Sequence, residues 1–329
     1  MIYPENFEIK IGFDRIRALL RDKCLSPMGL EMVESIKFID DFDKLSRVLS
    51  ATSEFQQLLI FEIQFPSEHY YKISDCLNKI RIEGTFPEVN EVFDLKRSLE
   101  TVKTILNFFK GKDASKYPVL QSMCGSVKTY PYVLDAADRI IDKKGIIKDS
   151  ASPRLKEIRA ELIGKSIHVT KRLNAILKQA QAEGFVDTDT AVSVRNGRGV
   201  IPVSTYDKRK IRGLIHDQSA SGKTVYIEPE EIVEINNDII ELEYEEKREI
   251  VRILMTFADN VRPYIDDLIA SNMFLGEVDF IRSKALLCNH LHAIKPILVN
   301  KPYLMWKRAI HPLLSLAFEK TPGRKVVPL

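Results

Sequence analysis

The sequence has no stretch near the ~18 consecutive apolar residues that a membrane-spanning helix requires, so no membrane partner is expected. Its first residues, Met1-Ile2-Tyr3-Pro4-Glu5-Asn6, lack the basic and apolar regions of a secretory signal. Cysteine is scarce. Cys24, Cys76, Cys124 and Cys288 lie far apart, which argues against a disulfide framework and against paired CxxC zinc ligands. Reduced thiols in a cytoplasmic protein are the expectation. An excess of charge of one sign is missing too: 49 Lys and Arg against 46 Asp and Glu leave +3 on 329 residues. Overall charge therefore does not mark a nucleic-acid binder, and only its placement can. Catalytic groupings are absent. His216 and Asp217 are neighbours, but neighbours on a strand point to opposite faces and form no relay. Cys288 and His292, four apart on a helix, would make half of a metal site with no second pair to complete it. No catalytic residue and no metal ligand is assigned, and this stretch of chain is not expected to be an enzyme by itself.

What is there is ordinary in bulk, with 45% apolar and 29% charged residues, and long enough for two or three domains with cores of their own. Residues 1 to about 150 read as helices of moderate length. Ile11, Ile16, Leu19 and Leu20 share a face that runs into the turn signal Ser26-Pro27-Met28-Gly29, and Met32, Val33 and Ile36 resume it. Further helices are expected at roughly 41–63, 88–110 and 130–142.

The middle of the chain is more distinctive. Ser152-Pro153 is an N-cap with proline at the first helical position. Leu155, Ile158, Leu162, Val169, Leu173, Ile176 and Ala180 then keep helical spacing up to a glycine stop at Gly184, about 45 Å of helix at 1.5 Å per residue. A second long helix begins at Pro229, opens with Glu230 and Glu231, and ends near Pro263. Between the two the period drops to 2. Ala191 to Arg195 alternates, Asn196-Gly197 is a two-residue hairpin turn, and Gly199 to Val203 returns. Lys210 to Ile215 and Thr224 to Ile227 form a second pair around Ser219-Ala220-Ser221-Gly222. The pattern is a long helix, four strands, and a long helix back. Another helix is expected over roughly 264–293, after which Pro296, Pro302, Pro312, Pro322 and Pro328 imply loops and short strands.

Charge is concentrated on the strands. From Arg195 to Thr224 the basic residues are Arg195, Arg198, Lys208, Arg209, Lys210, Arg212 and Lys223, against only Asp207 and Asp217, a net +5. The helix that follows is acidic. Positive potential on the β region suits phosphate contact, and a solvated β surface would have the same composition. Ser221-Gly222-Lys223-Thr224 imitates the end of a phosphate-binding loop, but the first glycine of that motif would fall at Asp217, and a strand rather than a helix follows Thr224. A tight polar turn is expected there, without a bound nucleotide.

Gly213-Leu214-Ile215-His216-Asp217-Gln218-Ser219-Ala220-Ser221-Gly222-Lys223-Thr224-Val225-Tyr226-Ile227-Glu228-Pro229 resembles the end of the MutS clamp and its return into the lever. Arg195-Asn196-Gly197-Arg198 with Val200-Ile201-Pro202-Val203 is similar to the clamp's opening hairpin. Gly12-Phe13-Asp14-Arg15-Ile16, Ser26-Pro27-Met28-Gly29 and Gly84-Thr85-Phe86 are similar to the amino end of the MutS-two branch, which starts directly at the core. Glu277-Val278-Asp279-Phe280 and Arg308-Ala309-Ile310-His311-Pro312-Leu313-Leu314 match the lever's return and the approach to the ATPase. Phe86-Pro87-Glu88 imitates the Phe-x-Glu of mismatch readers, but it stands between helices and is read as coincidence.

The resemblance implies a mainly α fold, with a helical core and long antiparallel lever helices carrying a small four-stranded β clamp at the tip. It places a helical core at 1–150, a lever helix at 151–184, the clamp at 185–228, the returning lever helix at 229–263, a core return at 264–300 and the start of a truncated ATPase domain at 301–329. It also implies that the chain stops short of the ATPase and of a small carboxy-terminal Smr endonuclease domain. The parent would then be a homodimeric ATPase of mismatch repair or recombination suppression, using ATP and Mg, with DNA, including branched recombination intermediates, as its partner. Some members of the branch are linked instead to ribosomes, so rRNA is the alternative partner, and a purely structural arm is the third reading. No cofactor is expected on this stretch itself. The expected phosphate contacts are the seven basic residues named above, and His311 is a subsidiary candidate for approach to adenine in the parent.

Overall fold

A computed structural model describes residues 5–62, 64–113, 115–319 and 326–329. Two compact units divide the chain, one formed by residues 1–138 and 258–329, the other by residues 139–257.

The first unit is helical. Helices α1 (Phe7–Ile11), α2 (Phe13–Arg21), α3 (Pro27–Glu34), α4 (Phe42–Phe61), α5 (Ser74–Ile80), α6 (Val89–Lys110), α7 (Pro118–Cys124) and most of α8 (Pro131–Ile140) come from its amino-terminal part. Its core gathers Ala51, Phe55 and Leu58 of α4 and Val102, Ile105, Leu106 and Phe109 of α6. Against them pack Phe274, Leu275, Val278, Ile281 and Ala285 from the later helix at Ile265–His290. Glu88 and Glu91 form a capping box at the start of α6, a structural use for the Phe86-Pro87-Glu88 triplet.

Two of the quoted motifs meet in this core. Asp279 is fully buried and accepts hydrogen bonds from the backbone N–H groups of Leu25 and Ser26 and from the Ser26 hydroxyl, at 2.7–3.0 Å. Ser26 Oγ in turn accepts from Gly29 N and caps α3. A Cβ on Gly29 would stand 2.4 Å from Asp279 Oδ2, so only glycine admits the carboxylate there. The carboxylate thus satisfies donors at a buried helix start that would otherwise have no partner.

The second unit holds α9 (Pro153–Ala182) and most of α10 (Glu230–Val261), with strands β1 (Ser193–Arg195), β2 (Arg198–Ser204), β3 (Gly213–Gln218) and β4 (Thr224–Pro229) between them. Ser152 caps α9 through Leu155 N, Pro153 occupies its first turn, and Gly184 takes the left-handed conformation past its end (φ 79°). The acidic residues of α10 answer basic ones on α9. Arg172 pairs with Glu231, Lys165 with Asp238 and Arg159 with Glu246, while Ser152 donates to Glu249. From Arg172 to Lys165 is seven residues back along α9, and from Glu231 to Asp238 is seven forward along α10. That matched spacing is the register of an antiparallel helix pair with a heptad-like seam.

All four strands form one antiparallel sheet in the order β1-β2-β4-β3. Ile201, Val203, Val225 and Ile227 face inward onto Val169, Leu173 and Leu177 of α9 and Ile232 of α10. Gly199 lies against α9 so closely that a Cβ there would meet Leu173 Cδ1 at 2.5 Å. A mainly α protein with a four-stranded sheet between two long antiparallel helices is therefore what the chain forms.

The structure departs from the sequence pattern in several places. Lys210 to Arg212 form a turn rather than the start of β3, because Lys210 N bonds back to Asp207 O and Ile211 is pulled into the sheet's core. The tail, expected as loops and short strands, contains helix α12 (Pro312–Glu319), following α11 (Ile265–His290). Pro312 begins that helix rather than breaking one, since proline's fixed φ suits a first helical turn. His292 lies beyond the end of α11 with φ 52°, so Cys288 and His292 do not share a helical face.

Candidate nucleic-acid interface

The Asn196-Gly197 turn has φ of 50° and 76°, the left-handed pair that a two-residue hairpin turn needs, and joins Arg195 to its strand partner Arg198. Arg195 reaches across the sheet. Its guanidinium lies 4.0 Å from the centroid of the Tyr226 ring on β4, and its Nε is 3.3 Å from Asp217 on β3. Stacking and pairing hold it flat on the outer surface, with its side chain 35% exposed.

Arg198 has a different environment. It donates to both oxygens of Glu228 and to Asn237 of α10, while His216 and Asn236 contact the same Glu228 carboxylate. Glu228 is fully buried. One carboxylate therefore ties β2, β3 and β4 to the first turns of α10. Arg198 is occupied inside this network and is not open to solvent as the exposed cations are. Sequence reasoning placed Arg198 among the basic residues and missed Glu228. The available signal was the pattern of β4 itself, in which Glu228 continues the alternate positions of Thr224 and Tyr226 and is separated from the next helix only by Pro229. A register shift between Ile215 and Asp217 turns His216 toward Glu228, separating it from Asp217, which serves Arg195.

The remaining five basic residues are exposed. Lys210 pairs with Asp207 at 2.9 Å and lies over the Phe185 ring. Among the described residues, no carboxylate lies within ion-pair distance of Lys208, Arg209, Arg212 or Lys223. Lys223 stands where the β3–β4 turn meets the loop after β2, since Thr205 N donates to Lys223 O at 2.9 Å. Arg212 stands at the opposite end of β3, where its carbonyl accepts from Glu230 N. At ~3.3 Å per residue the strand between them spans on the order of 20 Å, about six base pairs of duplex rise.

Ser221-Gly222-Lys223-Thr224 forms a closed turn. Gly222 N and Thr224 N both donate to Ser219, and Ser219 N donates to Thr224 O. Gly222 is left-handed (φ 71°) and the strand that follows leaves no helix start for a phosphate. His311 is exposed in the first unit, and its carbonyl accepts from Ser315 N at the start of α12.

No protein-family model matches the chain. Individual proteins do. Over 319 residues the chain is 32% identical to the endonuclease MutS2 of Alkaliphilus oremlandii, an alignment covering 97% of the chain and 39% of that protein. With the endonuclease MutS2 of Clostridioides difficile the identity is 31% over 93% of the chain and 38% of the relative, and with that of Halalkalibacterium halodurans 29% over 97% and 40%. Over the length it shares with them, the chain is similar to the MutS2 endonucleases. It spans about two-fifths of the length of these curated relatives.

Proposed function

We propose that this stretch of a MutS2-family protein is its nucleic-acid grip. In this reading residues 1–150 and 264–300 are the core, 151–184 and 229–263 the lever, and 185–228 a clamp that holds DNA by its phosphates. The observation that carries the proposal is the state of the sheet's cations. Lys208, Arg209, Arg212 and Lys223 offer unpaired charge spread along about 20 Å, while Glu231, Asp238 and Glu246 of α10 are paired with Arg172, Lys165 and Arg159 of α9. Arg195 and Lys210 add charge already oriented by one carboxylate each. Phosphate contacts of this kind position a duplex without reading its sequence. The longer protein would supply ATP and Mg chemistry, dimerisation and nuclease activity from residues outside this stretch.

Competition among branched DNA, linear duplex and ribosomal RNA for the 329-residue chain tests the proposal. Binding of either DNA, displaced more readily by DNA than by rRNA, is expected. Preference for rRNA would assign the grip to a ribosome instead, and absence of binding to all three would leave a structural arm and overturn the proposal.

A further inference from the structure

The loop after β2 carries a feature that phosphate contact does not require. Tyr206 is 95% exposed, and the next three cations of the loop are Lys208, Arg209 and Lys210. Its position is held from several sides. Thr205 N and Oγ1 donate to the carbonyls of Lys223 and Gly222 at 2.9 and 2.6 Å, Asp207 N donates to Ser204 O at 2.9 Å, and the buried Ile211 anchors the loop's return. Asp207, the loop's acid, is neutralised by Lys210 and does not repel a phosphate beside the ring. A hydrogen-bonded turn therefore presents both faces of an aromatic ring to solvent, with Lys223 across the turn and three cations downstream. An aromatic face combined with cations that follow a backbone is the arrangement that binds unpaired nucleotides, because every base has a face to stack on it.

We infer that Tyr206 is a base-stacking platform, and that the tip takes a single-stranded segment with a base on Tyr206 and the flanking phosphates on Lys208, Arg209 and Lys223. The inference rests on the phosphate-grip reading and adds to it a preference for unpaired over paired bases. Backbone hydrogen bonds have already fixed the turn, so little order remains to be imposed when a base arrives.

The test uses the 329-residue chain with two fluorescent probes, an oligothymidine strand and an abasic strand with the same number of phosphates. Stacking on one aromatic ring corresponds to about 5- to 150-fold in affinity. The chain is expected to bind oligothymidine at least about fivefold more tightly than the abasic strand. In Tyr206→Ala that ratio should fall to about one with abasic binding unchanged, and Tyr206→Phe should restore it. Equal affinity for both strands in the unaltered chain, or a ratio that Tyr206→Ala leaves intact, overturns the stacking inference while the phosphate grip stands. Abasic binding that ignores charge reversal of Lys208, Arg209, Arg212 and Lys223 overturns the grip itself. A thermal melt within 2 °C of the unaltered chain, as expected for an exposed side chain, shows that Tyr206→Ala is folded.

Discussion

Replacing Glu228 by leucine should destabilise the second unit more than any substitution among its exposed charges. The carboxylate is fully buried and receives Arg198 at 2.9 and 3.2 Å, Asn236 at 2.6 Å, and His216. Removing it leaves a guanidinium that is only 20% exposed with no opposite charge, and an Asn236 amide without its acceptor. Breaking a buried ion pair from one side costs about 3–5 kcal/mol, and the residual exposure of Arg198 places the expected loss near the lower end, about 3 kcal/mol. For a unit of this size that corresponds to a fall of about 10 °C in Tm, read by circular dichroism. Arg198→Met should also destabilise, and the double variant should recover about 2 kcal/mol relative to the sum, because no unpaired charge remains in it. Arg198→Met should leave the salt dependence of nucleic-acid binding unchanged, since the side chain is already occupied. A loss below about 1 kcal/mol for Glu228→Leu, or strict additivity in the double variant, would refute the network as the tie between sheet and helix.

In the first unit, Asp279→Asn should cost about 2–4 kcal/mol in urea unfolding, since it removes the charge that strengthens the hydrogen bonds of Leu25 and Ser26 and puts an amide N–H where a carboxylate oxygen faced the Leu25 N–H. An unchanged midpoint would show that α3 is capped by other means. Burial lowers the pKa of Lys284 to about 8, so at pH 7 the folded state holds an ammonium it disfavours. Lys284→Met should therefore stabilise by about 1–2 kcal/mol at pH 7. With the folded pKa below the unfolded one, the unaltered chain should gain stability as pH rises from about 8 toward 10.5, and the variant should lack that gain. Parallel pH profiles for the two would contradict this.

Wherever a local rule carries the element, the sequence showed it. Ser152-Pro153 and Gly184 bracket α9, and Asn196-Gly197 makes the hairpin, because caps and turns are decided by the residues that form them. Gly199 to Val203 and Thr224 to Ile227 were readable as strands because strand alternation is local as well. The short helices α5 and α7 and the tail helix α12 were not legible, since segments of seven or eight residues have too few turns for a periodicity to appear. The largest gap concerned partners distant in sequence. Seven basic residues looked alike from Arg195 to Lys223, and only the fold separates Arg198, spent on Glu228 thirty residues away, from Lys208, Arg209, Arg212 and Lys223. In the same way, Asp279 reaches the amino end of α3 across more than 250 residues, and no spacing rule could have paired them.

The most direct measurement is the salt dependence of duplex binding for the unaltered chain and two fourfold charge reversals. One reversal converts Lys208, Arg209, Arg212 and Lys223 to glutamate. The other converts Lys44, Lys103, Lys110 and Lys116, four exposed lysines of the first unit. Each neutralised phosphate contributes about −0.9 to the slope of log affinity against log salt, so four contacts give a slope of about −3 to −4. Exposed charges typically shift stability by less than about 0.5 kcal/mol each, so both variants should remain folded. The account predicts that slope for the unaltered chain and for the first-unit reversal, and loss of binding for the reversal on the sheet. Equal weakening by both reversals, or affinity that does not change with salt, would contradict it.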